Sequence, residues 1–147
     1  MTIERSAIYM KFAAGIFVAF GLLSALAAWP PFAAPQIFLA ELIFMDFDGS
    51  VTIASQSERL LSAILGGMIA AWGVILWQLV DKLYLDNPAL IGRMIITSLL
   101  TWYFIDSIAS VVAGAPLNFI GNLGFLAVFL IPLMLAKQSQ TKAEISL

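Results

Sequence analysis

The stretch Leu60–Val80, LLSAILGGMIAAWGVILWQLV, decides how this chain folds. It carries no charge and is close to the ~20 residues an α-helix needs to cross a hydrocarbon core of about 30 Å. Three further runs of similar length flank it, Phe12–Trp29, Met94–Ala113 and Leu117–Ala136, and Asp106 is the one acid or base inside any of the four. The composition agrees. The chain is 62% hydrophobic and 11% charged, with a mean hydropathy of +1.00, against about 45–50% and about 25% in soluble domains. A water-soluble fold of 147 residues has no interior large enough to hide that much apolar surface. The sequence therefore predicts an all-α fold: one domain, residues 1–147, forming a bundle of four antiparallel transmembrane helices.

Breaks between the runs have physical causes. Pro30-Pro31 ends the first, Asp86-Asn87-Pro88 separates the second from the third, and Gly114-Ala115-Pro116 turns the third into the fourth. Proline lacks a donor and restricts the residue before it. Pro132 falls inside the fourth run, where a mild kink is ordinary in membranes. The outer segment 31–58 is too short for a second domain. Within it, Gln36–Met45 is apolar on most sides, too short to span, and suited to the interface. Ala27–Phe32 and Gly114–Phe119 are only vaguely alike, too little for an internal repeat.

Orientation follows from the basic residues. With the amino terminus inside, Arg5, Lys11, Lys82, Arg93, Lys137 and Lys142 are all cytoplasmic, and only Arg59 is outside. That is a positive-inside bias with both termini cytoplasmic. The outer loop carries Glu41, Asp46, Asp48 and Glu58, while Tyr9, Trp77 and Tyr84 fall near the inner interface and Trp29 near the outer one. A rival reading takes Met1–Lys11, Phe12–Ser24 and Ala25-Leu26-Ala27 as a signal peptide with its cleavage site. The apolar run continues to Trp29, longer than the usual core of about 7–15 residues, so it reads as a span.

Composition also removes function classes. A net charge of −2 leaves no basic field for nucleic acid. Cysteine and histidine are both absent, which removes disulfides, thiolate metal sites, His-ligated haem or zinc, and the usual proton carrier near neutral pH. Asp46-Phe47-Asp48-Gly49 fails as a calcium loop, because the positions that need Gly and Glu hold Val51 and Ser57; it reads as an Asx turn. No metal or cofactor is expected, and no catalytic set is present. Glu58 beside Arg59 reads as an interfacial pair.

Asp106 is the most informative residue. It lies roughly 10 Å below the outer interface, where a charged Asp costs about 2.5–3.5 kcal/mol at a helix centre. Ser110 shares its face one turn on, Arg59 can reach in from the outer end of the second span, and Asn118 and Asn122 share one face of the fourth. The expectation is a polar intramembrane cluster of Asp106, Arg59, Ser110, Asn118 and Asn122. No second acid lies deep in a span to continue a relay, so a latch that fixes helix register is preferred to a proton-handling site. On the second span, Arg59 heads a stripe of Ser62, Gly66, Ala70 and Gly73, with Gly67 beside it, and such small residues let a neighbouring helix approach closely. Gly15/Ala19 and Gly21/Ala25 have the same spacing in an alanine-rich segment, where it says little. Trp102 and Tyr103 would line a groove for a lipid or quinone, or serve simply as large packing residues.

Arg59-Leu60-Leu61-Ser62-Ala63 with Gly66-Gly67, and Asp106-Ser107 with Gly114-Ala115-Pro116, resemble the small four-helix inner-membrane proteins of bacteria grouped as families of unknown function. That resemblance implies the architecture and a bacterial inner membrane, and no activity. The expected role is a non-enzymatic accessory or assembly subunit, or a self-associating scaffold, with the bilayer and protein subunits or further copies as partners. The rival classes are a small transporter or channel component, and a binder or enzyme of a lipophilic ligand.

Overall fold

The computed structural model describes the backbone of residues 1–145 and the side chains of residues 1–137. It is all-helical: α1 Ile3–Leu26, a 3-10 turn Pro30–Phe32, α2 Ala34–Phe44, α3 Gln56–Lys82, α4 Pro88–Val112 and α5 Asn118–Ile145. Four of these, α1, α3, α4 and α5, are long and apolar enough to cross a membrane, so the chain is a multi-pass membrane protein. Lys142, assigned above to the cytoplasmic side, lies outside the residues whose side chains are described.

Helix starts follow local chemistry that the hydropathy reading passed over. The Thr2 hydroxyl accepts from the Arg5 amide, so α1 begins nine residues before the apolar run, at Ile3. Ser55 and Glu58 form a capping box at α3: the Glu58 amide donates to Ser55 Oγ at 3.2 Å, and the Ser55 amide to Glu58 Oε2 at 2.8 Å. Glu58 is thus turned onto the backbone, and among the described residues no ion pair joins it to Arg59. The signature Ser-x-x-Glu ahead of an apolar run was present in the sequence. Ser55→Ala is expected to lower stability by about 1 kcal/mol, read as earlier thermal unfolding in detergent. Asn87 caps α4, its Oδ1 accepting from the Leu90 amide at 3.1 Å, with Pro88 in the first turn.

Small residues decide which helices touch. A Cβ built on Gly66 would stand 2.5 Å from the Gly21 carbonyl and closer still to the Ala25 amide; one on Gly21 would stand 2.6 Å from the Gly66 carbonyl. Gly73 lies similarly against Val18 and Ala14. The α1 and α3 backbones are therefore in direct contact, and Gly21/Ala25, which the sequence offered only weakly, is the other half of the Gly66/Ala70 seat. Gly67 is exposed, and a Cβ there would meet nothing within 4 Å, so it is not part of this packing. Further along the same pair, Lys11 Nζ bonds Asp81 at 3.0 Å, and the Tyr84 hydroxyl lies 3.0 Å from Ser6 Oγ. Tyr84 is buried at the end of the bundle.

Large residues hold the other side apart. α3 and α4 follow one another in sequence yet scarcely meet by backbone. Between them stand Trp72, whose indole donates to Ser98 Oγ at 3.2 Å, and Trp102, 5.6 Å from it ring to ring. Phe17 of α1 is the hub of this layer, edge-on to Trp72, Trp102, Phe125 and Phe129. Edge-to-face pairs at such spacings add about 0.5–1.5 kcal/mol each beyond area burial. α1 is consequently the most enclosed span, with 39% of its apolar window buried against 17% for α3.

Candidate functional site

A cluster of polar side chains occupies the seam between α4 and α5. The turn that joins them sets it up. Gly114 adopts φ 83°, the Ala115 amide returns to the Ser110 carbonyl at 2.8 Å, and the Asn118 amide to the Ala115 carbonyl at 3.1 Å. This tight reversal brings the first turn of α5 against the last turns of α4. Asp106 and Ser110, one turn apart on α4, then face Asn118 and Asn122, one turn apart on α5.

The hydrogen bonds close on themselves. Asn118 Nδ2 donates to Asp106 Oδ2 at 2.9 Å and to Ser110 Oγ at 2.8 Å. Asn122 Nδ2 donates to the same carboxylate oxygen at 2.5 Å and to Ser107 Oγ at 3.2 Å. Each amide spends both of its N–H groups. Ser107 and Asn122 are buried, while Asp106, Ser110 and Asn118 are half-buried. Ser107 was missed as a member, although it stands directly beside Asp106; a seat on both α4 flanks was the signal. The arrangement can lock two helices in register. Among the described residues no second carboxylate hydrogen-bonds into it to pass a proton onward.

Arg59 does not join this cluster: no ion pair or hydrogen bond links its guanidinium to Asp106, and its Nε is buried without a partner among the described residues. The reason lies in the stripe it heads. Gly66, Ala70 and Gly73 face α1, so Arg59 is carried towards the α1 side of the bundle, away from the α4–α5 seam. Ser62, also on that stripe, is half-buried.

Trp102 and Tyr103 are likewise separated. Trp102 packs into the aromatic layer, whereas Tyr103 is buried towards Phe104 and Phe119, at 5.4 and 5.5 Å. Two surface grooves, one lined by Met1, Arg5, Tyr9, Ile131, Pro132 and Leu135, the other by α1 and Trp77, include neither residue.

In the outer loop the Ser50 amide and hydroxyl donate to Asp48 Oδ1 at 2.7 Å and Asp46 Oδ2 at 2.9 Å. This is Asx-turn geometry, with Gly49 at φ 82°. The Ser50 amide, helped by its hydroxyl and by Asp46, holds the Asp48 carboxyl below the ordinary aspartate value. Among the described residues no three His, Cys, Asp or Glu side chains are placed to hold a metal. No protein family, curated protein or solved structure matches this chain.

Proposed function

We propose that this protein is a non-enzymatic interaction subunit of a bacterial inner membrane, four antiparallel spans with both termini cytoplasmic, which holds further subunits or copies of itself against α3. One observation supports it above the rest. α3 lies close by backbone to α1 alone, meets α4 chiefly through Trp72, and leaves most of its remaining perimeter open. That open face includes Gly67 and Ala71, one turn apart, beside Ile64, Met68 and Ile75. Small residues at such spacing on an apolar face admit a second helix at short range. The contact order along α1 and α3, Ser6 with Tyr84, Lys11 with Asp81 and Gly21 with Gly66, accords with the opposed directions proposed. The basic residues favour both ends inside.

The transporter reading drew on Asp106 and Arg59 lining one path. With the two on different seams it loses that support, and Trp102, packed edge-on to Phe17, Trp72 and Phe125, lines neither of the two surface grooves described above. The test is gentle extraction of tagged chain at native abundance, followed by native mass spectrometry. A heavier assembly that Gly67→Leu releases is the expected result. A lone chain, indifferent to Gly67→Leu, overturns the proposal.

A further inference from the structure

One external groove, of about 590 Å³, runs along α1 beneath Trp77 of α3. Its walls are Ile8, Phe12, Ile16 and Trp77, and its floor is Gly15 and Ala19. The missing side chain at Gly15 creates the notch: a Cβ there would reach Trp77 Cζ3 at 3.5 Å, an ordinary contact. From Lys11 to Ala19 the groove follows the helix for about 12 Å at about 1.5 Å per residue. That is most of the depth of one leaflet, half of a core about 30 Å thick.

Charge gathers at its mouth. Asp81 takes Lys11 on Oδ1 at 3.0 Å and Lys82 on Oδ2 at 2.9 Å. Both carboxylate oxygens are thereby occupied, the trio keeps one net positive charge, and each ammonium retains two of its three donors. The Lys82 side chain is 74% exposed. Glu4, two turns nearer the N-terminus on the same stripe, directs its carboxylate to Thr2 and its own backbone amide. An apolar slot as deep as a leaflet, roofed by an indole and opening on surplus ammonium donors, has the chemistry of one acyl chain below an anionic headgroup.

We infer that the Lys11–Ala19 groove seats one anionic glycerophospholipid, its acyl chain over Gly15 and its phosphate on Lys11 and Lys82. Each basic residue near a membrane surface contributes about fivefold in affinity for anionic lipid. The whole chain, purified in detergent, is therefore offered phosphatidylglycerol or phosphatidylcholine, and the first lipid retained is counted by native mass spectrometry. Phosphatidylglycerol is expected to bind about fivefold better. Lys82→Gln abolishes that preference. Asp81→Asn, which frees positive charge, strengthens phosphatidylglycerol binding by about the same factor, a gain that misfolding cannot imitate. Gly15→Leu fills the slot and removes both lipids, whereas Gly124→Leu, at a glycine with nothing within 4 Å, removes neither. Equal retention of the two lipids, insensitivity to both charge variants, or a Gly15→Leu protein that still binds overturns the inference. So does a Gly15→Leu variant that dissociates a dimer and loses no lipid, because a second chain then fills the groove.

Discussion

Gly66→Leu is expected to unfold the bundle at its centre, while Gly67→Leu, one residue along, leaves the melting temperature of detergent-solubilised monomer unchanged. The Gly66 Cβ would fall within 2.5 Å of the Gly21 carbonyl oxygen, and the other nearest atoms also belong to the α1 backbone. A flexible side chain can swing away from such an intrusion. A helix backbone moves only as a unit, so α1 and α3 must separate along their seam. Overpacking in an adaptable core costs about 1–3 kcal/mol; here the expected loss is about 3 kcal/mol or more, since α3 has no other close backbone neighbour. Gly67 faces outward and a Cβ there meets nothing within 4 Å. Helix propensity slightly favours Leu over Gly, so this variant holds or gains a little. Equal melting of the two variants would remove the close α1–α3 contact from the fold.

The second large effect concerns the α4–α5 seam. Asp106→Ala strips an acceptor from both Asn118 and Asn122, and the Asn122 amide is buried. Unpaired buried donors cost about 1–3 kcal/mol each. Asp106→Asn keeps an oxygen that can accept the same two bonds, and is expected to fold within about 1 kcal/mol of the parent. Replacing Asp106, Asn118 and Asn122 together by Leu removes the whole network and recovers most of the loss, as apolar replacement of a buried polar set commonly does. Thermal unfolding of the three variants in one detergent reads the order. A triple variant that folds normally yet fails to assemble in the membrane would make the cluster more than a latch. An Asp106→Asn protein as unstable as Asp106→Ala would mean the carboxylate charge itself holds the seam.

Much of this was legible because lipid imposes a simple demand: every spanning backbone must satisfy its own donors, so a charge-free run such as Leu60–Val80 can only be a helix. The Asp106–Ser110–Asn118–Asn122 set was legible for a related reason, since residues one turn apart share a face whatever the helix packs against. Arg59 was assigned to the wrong seam because periodicity shows which residues share a stripe and not which helix that stripe meets. Gly66 and Gly67 illustrate the same limit: neighbours in sequence, opposite in environment. Gly21/Ala25 was hidden by the alanine-rich run around it, where many pairs have the right spacing and only the partner's shape selects one. Glu58 was misread for another reason. It accepts a hydrogen bond from the Ser55 backbone, and a hydropathy scale gives such a bond no weight.

The enclosed position of α1 bears on how the chain is made. Its main neighbours are α3 and α5, and the second of these is the last of the four spans to be translated. At about 5–20 residues per second, roughly 5–20 s separate the emergence of α1 from that of α5. Throughout that interval Phe17 lacks Phe125 and Phe129, and the polar groups of the first helix face acyl chains or whatever insertase shelters them. Of the four spans, the first to be made is therefore among the last to be fully housed. A ribosome stalled before Asn118 would hold α1 with one flank bare, open to capture by a neighbouring nascent chain.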